Sequence, residues 1–369
     1  MIEISDDTLR IDLGEDSYDI TRGENLSERV VGNLDPKFRY AVITDSNVAP
    51  LYAENLVQAM EKAGLESHLI TFPAGEENKT RATKEWIEDQ MFECGLGRDT
   101  VVVGVGGGVT TDIAGYVAAT FNRGVKHSFY STTLLGQADA AMGGKTGVDT
   151  PYGKNLIGAF YQPILGVFMD VATFDTLPDI QLSYGLAETI KHGAIWDAEF
   201  FAFLEDNVDK VFARDRKVLL EIAKKNAWIK GSVVEQDVRE GGIRSILNMG
   251  HTLAHGMEME SDYKLEHGAA VSLGLVREGM IAVRLDTGFT ETDLGRLVDL
   301  LKKANLPIDF PDYLDPDKVQ KATLYDKKAR GKRPRYSLLQ GIGKASKLDG
   351  NFTTDVSDEI VAEVMRTKL

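Results

Sequence analysis

Cys94 is the one cysteine among 369 residues, so no internal disulfide can staple this chain. A lone thiol fits a reducing, cytoplasmic setting. No run of about 18 apolar residues occurs, which argues against a membrane-spanning helix. The opening stretch MIEISDDTLRID lacks a basic start followed by an apolar core, so no secretory signal is expected. Basic charge is also in deficit: 42 Lys and Arg face 57 Asp and Glu, for a net −15. That field opposes a general nucleic-acid surface. An anionic small molecule would need a local concentration of Lys and Arg.

What is present is ordinary for a globular protein, with 43% hydrophobic and 27% charged residues. The length favours two domains over one core. In the first half, strand-like YAVITDSNV, SHLITFP and TVVVGVGGG alternate with helix-like LYAENLVQAMEKAGL and TKEWIEDQMFECGL. This alternation predicts a parallel sheet wrapped by helices. The character changes near Pro178. Beyond it, AEFFAFLEDNVDKVF, RKVLLEIAKKNAWIKGSVVEQD, AAVSLGLVREGMIAVRLDTG and TDLGRLVDLLKKANL all carry helical spacing. The expectation is an α/β domain over residues 1–178 and a mostly α-helical domain over 179–369.

VVVGVGGGVTTDIAGYVAATF passes from a strand through Gly106, Gly107 and Gly108 into a helix. Glycines allow close approach to an anion, and a helix start offers unpaired N–H groups to a pyrophosphate. The spacing is neither G-x-G-x-x-G nor a P-loop, so a tight structural turn fits equally well. Thr132 and Thr133 follow another short strand and could hold a nucleotide or simply cap a turn. DAAMGGKTGVDTPYGKNLIGAFYQP sets Lys145, Lys154 and Asn155 in glycine-rich sequence, a combination suited to an oxyanion such as phosphate.

Candidate metal ligands lie in three segments: Glu188 in YGLAETIKHG, His251 and His255 in LNMGHTLAHGMEME, and His267 in KLEHGAA. His251 and His255 are one helical turn apart, as are Glu188 and His192. A further set takes one histidine of the pair with His267 and Glu188. A catalytic divalent site needs three protein ligands and an open position. Histidines also serve as caps or buried hydrogen-bonding groups, but three of the chain's six fall within residues 251–267. Spacing does not choose among these sets.

GGGVTTDIAGYVAATFNRG, STTLLGQADAAMGGKTGVDTPYGKNLIGAFYQP, YGLAETIKHG, RSILNMGHTLAHGME and LEHGAAVSLG resemble, in order and spacing, the motifs of the 3-dehydroquinate synthase family. FPAGEENKT and YDKKARGK resemble its outer motifs, and the similarity spans roughly residues 40 to 345. The resemblance implies an NAD-binding N-terminal α/β domain and a helical, metal-binding C-terminal domain, with Zn2+ or Co2+ as the metal. It places the metal ligands on Glu188, His251 and His267, and makes His255 an active-site histidine that does not bind metal. Phosphate contacts fall on Lys145, Asn155, Asn248 and one of Lys327 and Lys328, with Lys328 preferred. Carboxylate and ring-hydroxyl contacts fall on Lys230, Arg244, Lys191 and Asp139. Cofactor contacts fall on Asp45, Glu76, Lys79, Gly107, Gly108, Asp112, Thr132, Thr133, Lys145 and Lys154. Arg123 is implied to reach a neighbouring subunit's site, hence a homodimer.

The implied reaction converts 3-deoxy-D-arabino-heptulosonate 7-phosphate into 3-dehydroquinate and phosphate. It proceeds by transient oxidation with NAD, elimination of phosphate and an intramolecular aldol closure, as a step of the shikimate pathway. The chain departs from the family pattern at Ala138-Asp139-Ala140-Ala141, at Ala269 and at Ser131. The alternatives are another sugar phosphate cyclase, a metal-dependent polyol dehydrogenase, or a non-catalytic scaffold on the same fold. A small sugar phosphate is the expected partner, with neither nucleic acid nor membrane.

Overall fold

Valine-rich runs such as Thr100–Gly106 are buried along their whole length, as strands are when helices cover both faces of a parallel sheet. The computed structural model describes residues 7–328 and 333–369, and the side chains of residues 324–328 lie outside that description. The chain divides into two units, one of residues 1–177 with 219–235, the other of 178–218 with 236–369.

In chain order the first unit carries β1 (Thr8–Ile11), β2 (Tyr18–Gly23), α1 (Ser27–Gly32), β3 (Arg39–Asp45), α2 (Glu54–Lys62), β4 (Ser67–Phe72), α3 (Arg81–Glu93), β5 (Thr100–Gly106), α4 (Gly108–Thr120), β6 (Lys126–Ser131), β7 (Lys145–Thr150), β8 (Gly153–Phe160) and β9 (Val167–Asp170). Seven strands form one sheet in the order β1-β2-β9-β6-β5-β3-β4. All neighbours are parallel except β1 with β2. The two faces carry separate cores. Ala41 and Ile43 of β3 join Ile113, Val117 and Phe129 on one face, while Tyr40 and Val42 join Leu56, Met60 and Val103 on the other. This is the period-2 alternation of a pleated strand.

From β3 the chain moves outward to β4, then returns to place β5 on the other side of β3. The sheet therefore changes winding direction between β3 and β5, and ligands of open α/β sheets bind beyond the strand ends at such a point. β7 and β8 form a separate antiparallel hairpin.

The second unit holds α5 (Asp179–Trp196), α6 (Ala198–Phe212), α8 (His251–Glu260), α9 (His267–Arg284), α10 (Glu291–Lys303), α11 (Pro316–Lys328) and α12 (Asp358–Arg366), with the short strands β10 (Arg335–Tyr336), β11 (Leu339–Gly341), β12 (Lys344–Ala345) and β13 (Thr354–Asp355) between α11 and α12. Local sequence explains several starts. Asp197 caps α6 through the N–H groups of Glu199 and Phe200, and Thr290 with Asp293 forms a capping box on α10.

A single division at residue 178 is amended in one place. Helix α7 (Arg216–Gln236) has the expected helical periodicity, yet Leu219–Glu235 belongs to the first unit. Ala227 enters the core beside Leu9 and Ile11, and Glu235 accepts from the Asp12 N–H at 2.7 Å. Ala227 and Gly231 thus pack part of this helix against β1.

Candidate functional site

The groups of interest in the second unit are delivered by three helices. Glu188 sits mid-way along α5, in a stretch buried on every side, and is itself 0% exposed. His251 and His267 are the first residues of α8 and α9. Both Nε2 atoms lie 3.3 Å from the same Glu188 oxygen, Oε1. Candidate ligand atoms of these three residues all fall within 4.8 Å of one another, and no other such group occurs among the described residues. His255 stacks edge-on to His251 with ring centroids 5.7 Å apart but stands outside the group. The i, i+4 pairs therefore do not form the cluster; residues from three segments do.

The far side of each imidazole is also held. His251 Nδ1 lies 3.1 Å from the Met249 carbonyl, and His267 Nδ1 lies 3.4 Å from the buried Glu258 carboxylate. A proton on Nδ1 leaves Nε2 as a lone-pair donor, the usual way a carbonyl or carboxylate orients a ligating histidine. Burial alone would lower the His267 pKa, but the Glu258 and Glu188 carboxylates override it and raise it to about 10. The pocket thus favours positive charge here.

Lys191, one turn after Glu188 and 1% exposed, forms a close ion pair with Glu188 Oε2. Burial would push the Glu188 carboxyl up, yet Lys191 and His251 hold it well below the usual range. One carboxylate oxygen thus faces the ammonium, and the other faces the two imidazoles. Among the described residues, no hydrogen bond of ordinary geometry reaches either Glu188 oxygen. Two imidazoles and an ionised carboxylate converging on one point suit Zn2+ or Co2+ and leave coordination positions for substrate.

The start of α8 is set by close backbone packing. Gly250 caps the helix at φ +82, a left-handed conformation that glycine takes without strain. Its N–H donates to the buried Glu278 carboxylate at 2.8 Å. Just before it, Asn248 donates through its amide to Glu240, and the buried Arg244 guanidinium reaches the Val238 carbonyl. Lys327 and Lys328 close α11, and their side chains lie outside the described residues.

In the first unit, Asp45, Gly107, Gly108, Thr132 and Thr133 gather at the C-terminal ends of β3, β5 and β6. Asp45 ends β3 and accepts from Thr110 Oγ1 at 3.1 Å. Gly107 caps α4, and a Cβ there would meet Thr133 Cγ2 at 2.8 Å. Thr132 donates its N–H to the Gly106 carbonyl, and Thr133 Oγ1 accepts from the Gly136 N–H, each at 3.0 Å. Gly108 opens α4 and Asp112 follows one turn later. The bare backbone beside an uncapped helix start can take a pyrophosphate at the sheet's switch point.

Lys79, 4% exposed, is surrounded by carboxylates: Glu76 at 2.9 Å, Asp112 at 3.3 Å and Asp149 at 3.6 Å. Burial would lower its pKa, but Asp112, Glu76 and Asp149 hold the ammonium well above the usual lysine range. Burial raises the Asp112 carboxyl to about 6 against the pull of Lys79. Lys154 on β8 reaches Glu76 at 3.4 Å. Lys145 opens β7, and Asn155 lies on β8 with φ +54. Lys230 of α7 pairs with Asp139 inside this same unit, so Lys230 does not belong with the helical unit. Arg123 is exposed on the turn after α4, at φ +71.

Glu258, Glu278, Asp149 and Glu240 of these networks were not singled out from the sequence. Glu258 had a readable signal, since positions 251, 255 and 258 share one helical face. Asp149 and Glu240 had none, because each acts across a turn whose conformation spacing does not reveal.

Fold and site define the class first. The chain superposes on 2-deoxy-scyllo-inosose synthase complexed with carbaglucose-6-phosphate, NAD+ and Co2+, with TM-score 0.87 and 28% identity over 97% of this chain and 99% of that one. It also superposes on ValA, the 2-epi-5-epi-valiolone synthase of Streptomyces hygroscopicus subsp. jinggangensis 5008 with NAD+ and Zn2+ bound, with TM-score 0.86 and 27% identity over 98% of each. An NADH-dependent butanol dehydrogenase from Thermotoga maritima, 14% identical with TM-score 0.68, shares the fold alone. The architecture is that of the sugar phosphate cyclases. Family models described as 3-dehydroquinate synthase N-terminal and C-terminal match residues 69–184 and 185–329. The 3-dehydroquinate synthases of Geotalea uraniireducens and Ruminiclostridium cellulolyticum are 43% and 41% identical, covering 91% and 90% of this chain and 94% and 93% of theirs. The chain belongs to the 3-dehydroquinate synthase family.

Proposed function

We propose that the protein is a 3-dehydroquinate synthase, converting 3-deoxy-D-arabino-heptulosonate 7-phosphate into 3-dehydroquinate and phosphate. The observation that carries this reading is the convergence of His251 Nε2 and His267 Nε2 on one oxygen of buried Glu188, in a chain 43% identical to a synthase of that name. When bound, NAD+ takes up and returns a hydride, and the divalent ion polarises the carbinol oxygen that is oxidised.

The chain's own residues bind, orient and balance charge. Glu188, His251 and His267 hold the ion. Asp45, Glu76, Lys79, Asp112, Lys154, Thr132 and Thr133, with the backbone of Gly107 and Gly108, hold the cofactor. Lys145, Asn155, Asn248 and Lys328 bind the phosphate, and their donors stabilise it as it leaves by β-elimination. Lys230, Arg244, Lys191 and Asp139 fix the carboxylate and ring hydroxyls. His255, beside the ion site without belonging to it, is the proton-handling histidine. A carbonyl at the oxidised carbon would acidify the neighbouring C–H and so allow the elimination, and the cofactor, by taking up and returning the hydride, would leave no net redox change.

Arg123, exposed and held on a left-handed turn, is assigned to a neighbouring subunit's site, so the working form is a homodimer. It acts in the cytoplasm on a small sugar phosphate. No described helix is long and apolar enough to cross a membrane.

The test is a substrate panel with phosphate and NADH followed together, using protein loaded with NAD+ and Zn2+ or Co2+. Phosphate release from the heptulosonate phosphate without NADH accumulation is expected. Turnover of sedoheptulose 7-phosphate instead would move the protein to another cyclase, and net NADH would make it a dehydrogenase. His251→Ala should lose bound metal, whereas His255→Ala should keep it and lose turnover.

A further inference from the structure

We propose that Asp149 is a positioning residue that sets the cofactor-side lysine and the phosphate-side turn from a single carboxylate oxygen. Its Oδ1 accepts from the Asn155 backbone N–H at 2.9 Å and lies 3.6 Å from Lys79 Nζ. The backbones are tied as well: the Asp149 N–H donates to the Lys79 carbonyl at 2.7 Å, and Thr80 and Asp149 form a parallel bridge. Asn155 stands at φ +54, a left-handed conformation that asparagine takes more readily than most residues but that its surroundings must still select. The Asp149 carboxylate supplies that restraint. On its other side it is one of three carboxylates around Lys79, so its charge helps determine where the ammonium rests.

The inference rests on the proposed roles of Lys79 toward NAD+ and of Asn155 toward phosphate. Asp149→Asn and Asp149→Ala separate the two functions of the carboxylate. Asparagine keeps an oxygen for the Asn155 N–H but removes the charge facing Lys79. Alanine removes both.

Titration calorimetry on the full-length, metal-loaded protein reads NAD+ and inorganic phosphate affinity, with thermal unfolding followed in parallel. Asp149→Asn should weaken NAD+ by about threefold to tenfold, the size of one ordinary net hydrogen bond, since Glu76 and Asp112 still face Lys79, and leave phosphate within about twofold. Asp149→Ala should weaken both ligands, phosphate by at least about fivefold. In a Lys79→Ala background, Asp149→Asn should change NAD+ affinity by less than about twofold, because the contact it acts through is gone. Equal weakening of both ligands by Asp149→Asn, or an undiminished effect of Asp149→Asn in the Lys79→Ala background, would overturn the proposal. Such results would mean the hairpin is merely loosened. Unchanged NAD+ affinity in Lys79→Ala, or unchanged phosphate affinity in Asn155→Ala, would instead overturn the site assignment beneath it. Asp149→Asn is nearly isosteric, so it decides the first arm even where alanine fails to fold.

Discussion

Replacing Gly274 by alanine tests whether close packing of α8 against α9 builds the metal centre. A Cβ at position 274 would stand 2.0 Å from the Gly250 carbonyl oxygen and 2.8 Å from its carbon. An ordinary carbon–oxygen approach is about 3.3 Å, so the two backbones must part by about 1.3 Å. Gly250 immediately precedes His251, and Gly274 lies two turns along the helix that begins with His267. Metal–ligand distances tolerate only about 0.2 Å, so a shift of this size separates His251 from its two partners. Against this, alanine gains about 1 kcal/mol over glycine in a helix interior. Overpacking costs about 1–3 kcal/mol, and here the obstacle is backbone, which cannot rotate away. Overpacking wins.

The assay is metal content after dialysis against a graded chelator, with thermal unfolding of the same samples. Gly274→Ala should lower metal affinity at least tenfold, the low end of the roughly 10–100-fold seen when groups orienting the ligands are removed, and should lower the melting temperature. Gly295→Ala is the control, because a Cβ there meets nothing within 4 Å on the solvent side of α10. It should stabilise by about 0.5–1 kcal/mol and leave metal binding unchanged. A Gly274→Ala protein that holds metal as tightly as the parent and melts no lower would refute the reasoning.

Glu258→Gln removes the charge behind His267 while keeping an acceptor; metal affinity should fall about tenfold in chelator competition, and unchanged affinity would show the carboxylate to be irrelevant. Lys191→Ala leaves Glu188 buried without its ammonium partner, which should cost about 3–5 kcal/mol in chelator and clearly less with saturating Zn2+, read from melting temperatures. His127 is fully buried, stacked on Tyr161 at 5.2 Å, and its ring nitrogens find no hydrogen-bond partner among the described residues, so burial lowers its pKa to about 3. Because the folded pKa lies below the unfolded value, its contribution is intact above about pH 6.5 and lost as pH falls toward 3, at up to about 1.4 kcal/mol per pH unit. Urea unfolding from pH 7.5 to 4.5 should therefore show a shallower acid loss for His127→Phe, and parallel curves would count against it.

The sequence shows most clearly what depends on local periodicity. The stretch at residues 198–212 reads as a helix and is α6 to the residue, because Asp197 caps it and one face is apolar throughout. β5 reads as a strand from its valines alone. α7 shows the limit: a 3.6-residue period says which face is buried but not against what, and Leu219–Glu235 finds its partner in β1, more than 200 residues earlier. The metal centre has the same character. Glu188, His192, His251, His255 and His267 were legible by residue type, and helical spacing left the i, i+4 pairs no better than the sets that draw on separate segments. The cluster takes one residue from each of three helices, since a site at two helix starts is fixed by the turns before them. Gly250 at φ +82 and Glu258 behind His267 do that fixing here. Neither effect lies within one element's period. Residue type therefore names the chemistry, while tertiary packing selects which copy of each residue performs it, and that is why Gly274, which carries no chemistry of its own, is the sharpest place to perturb the site.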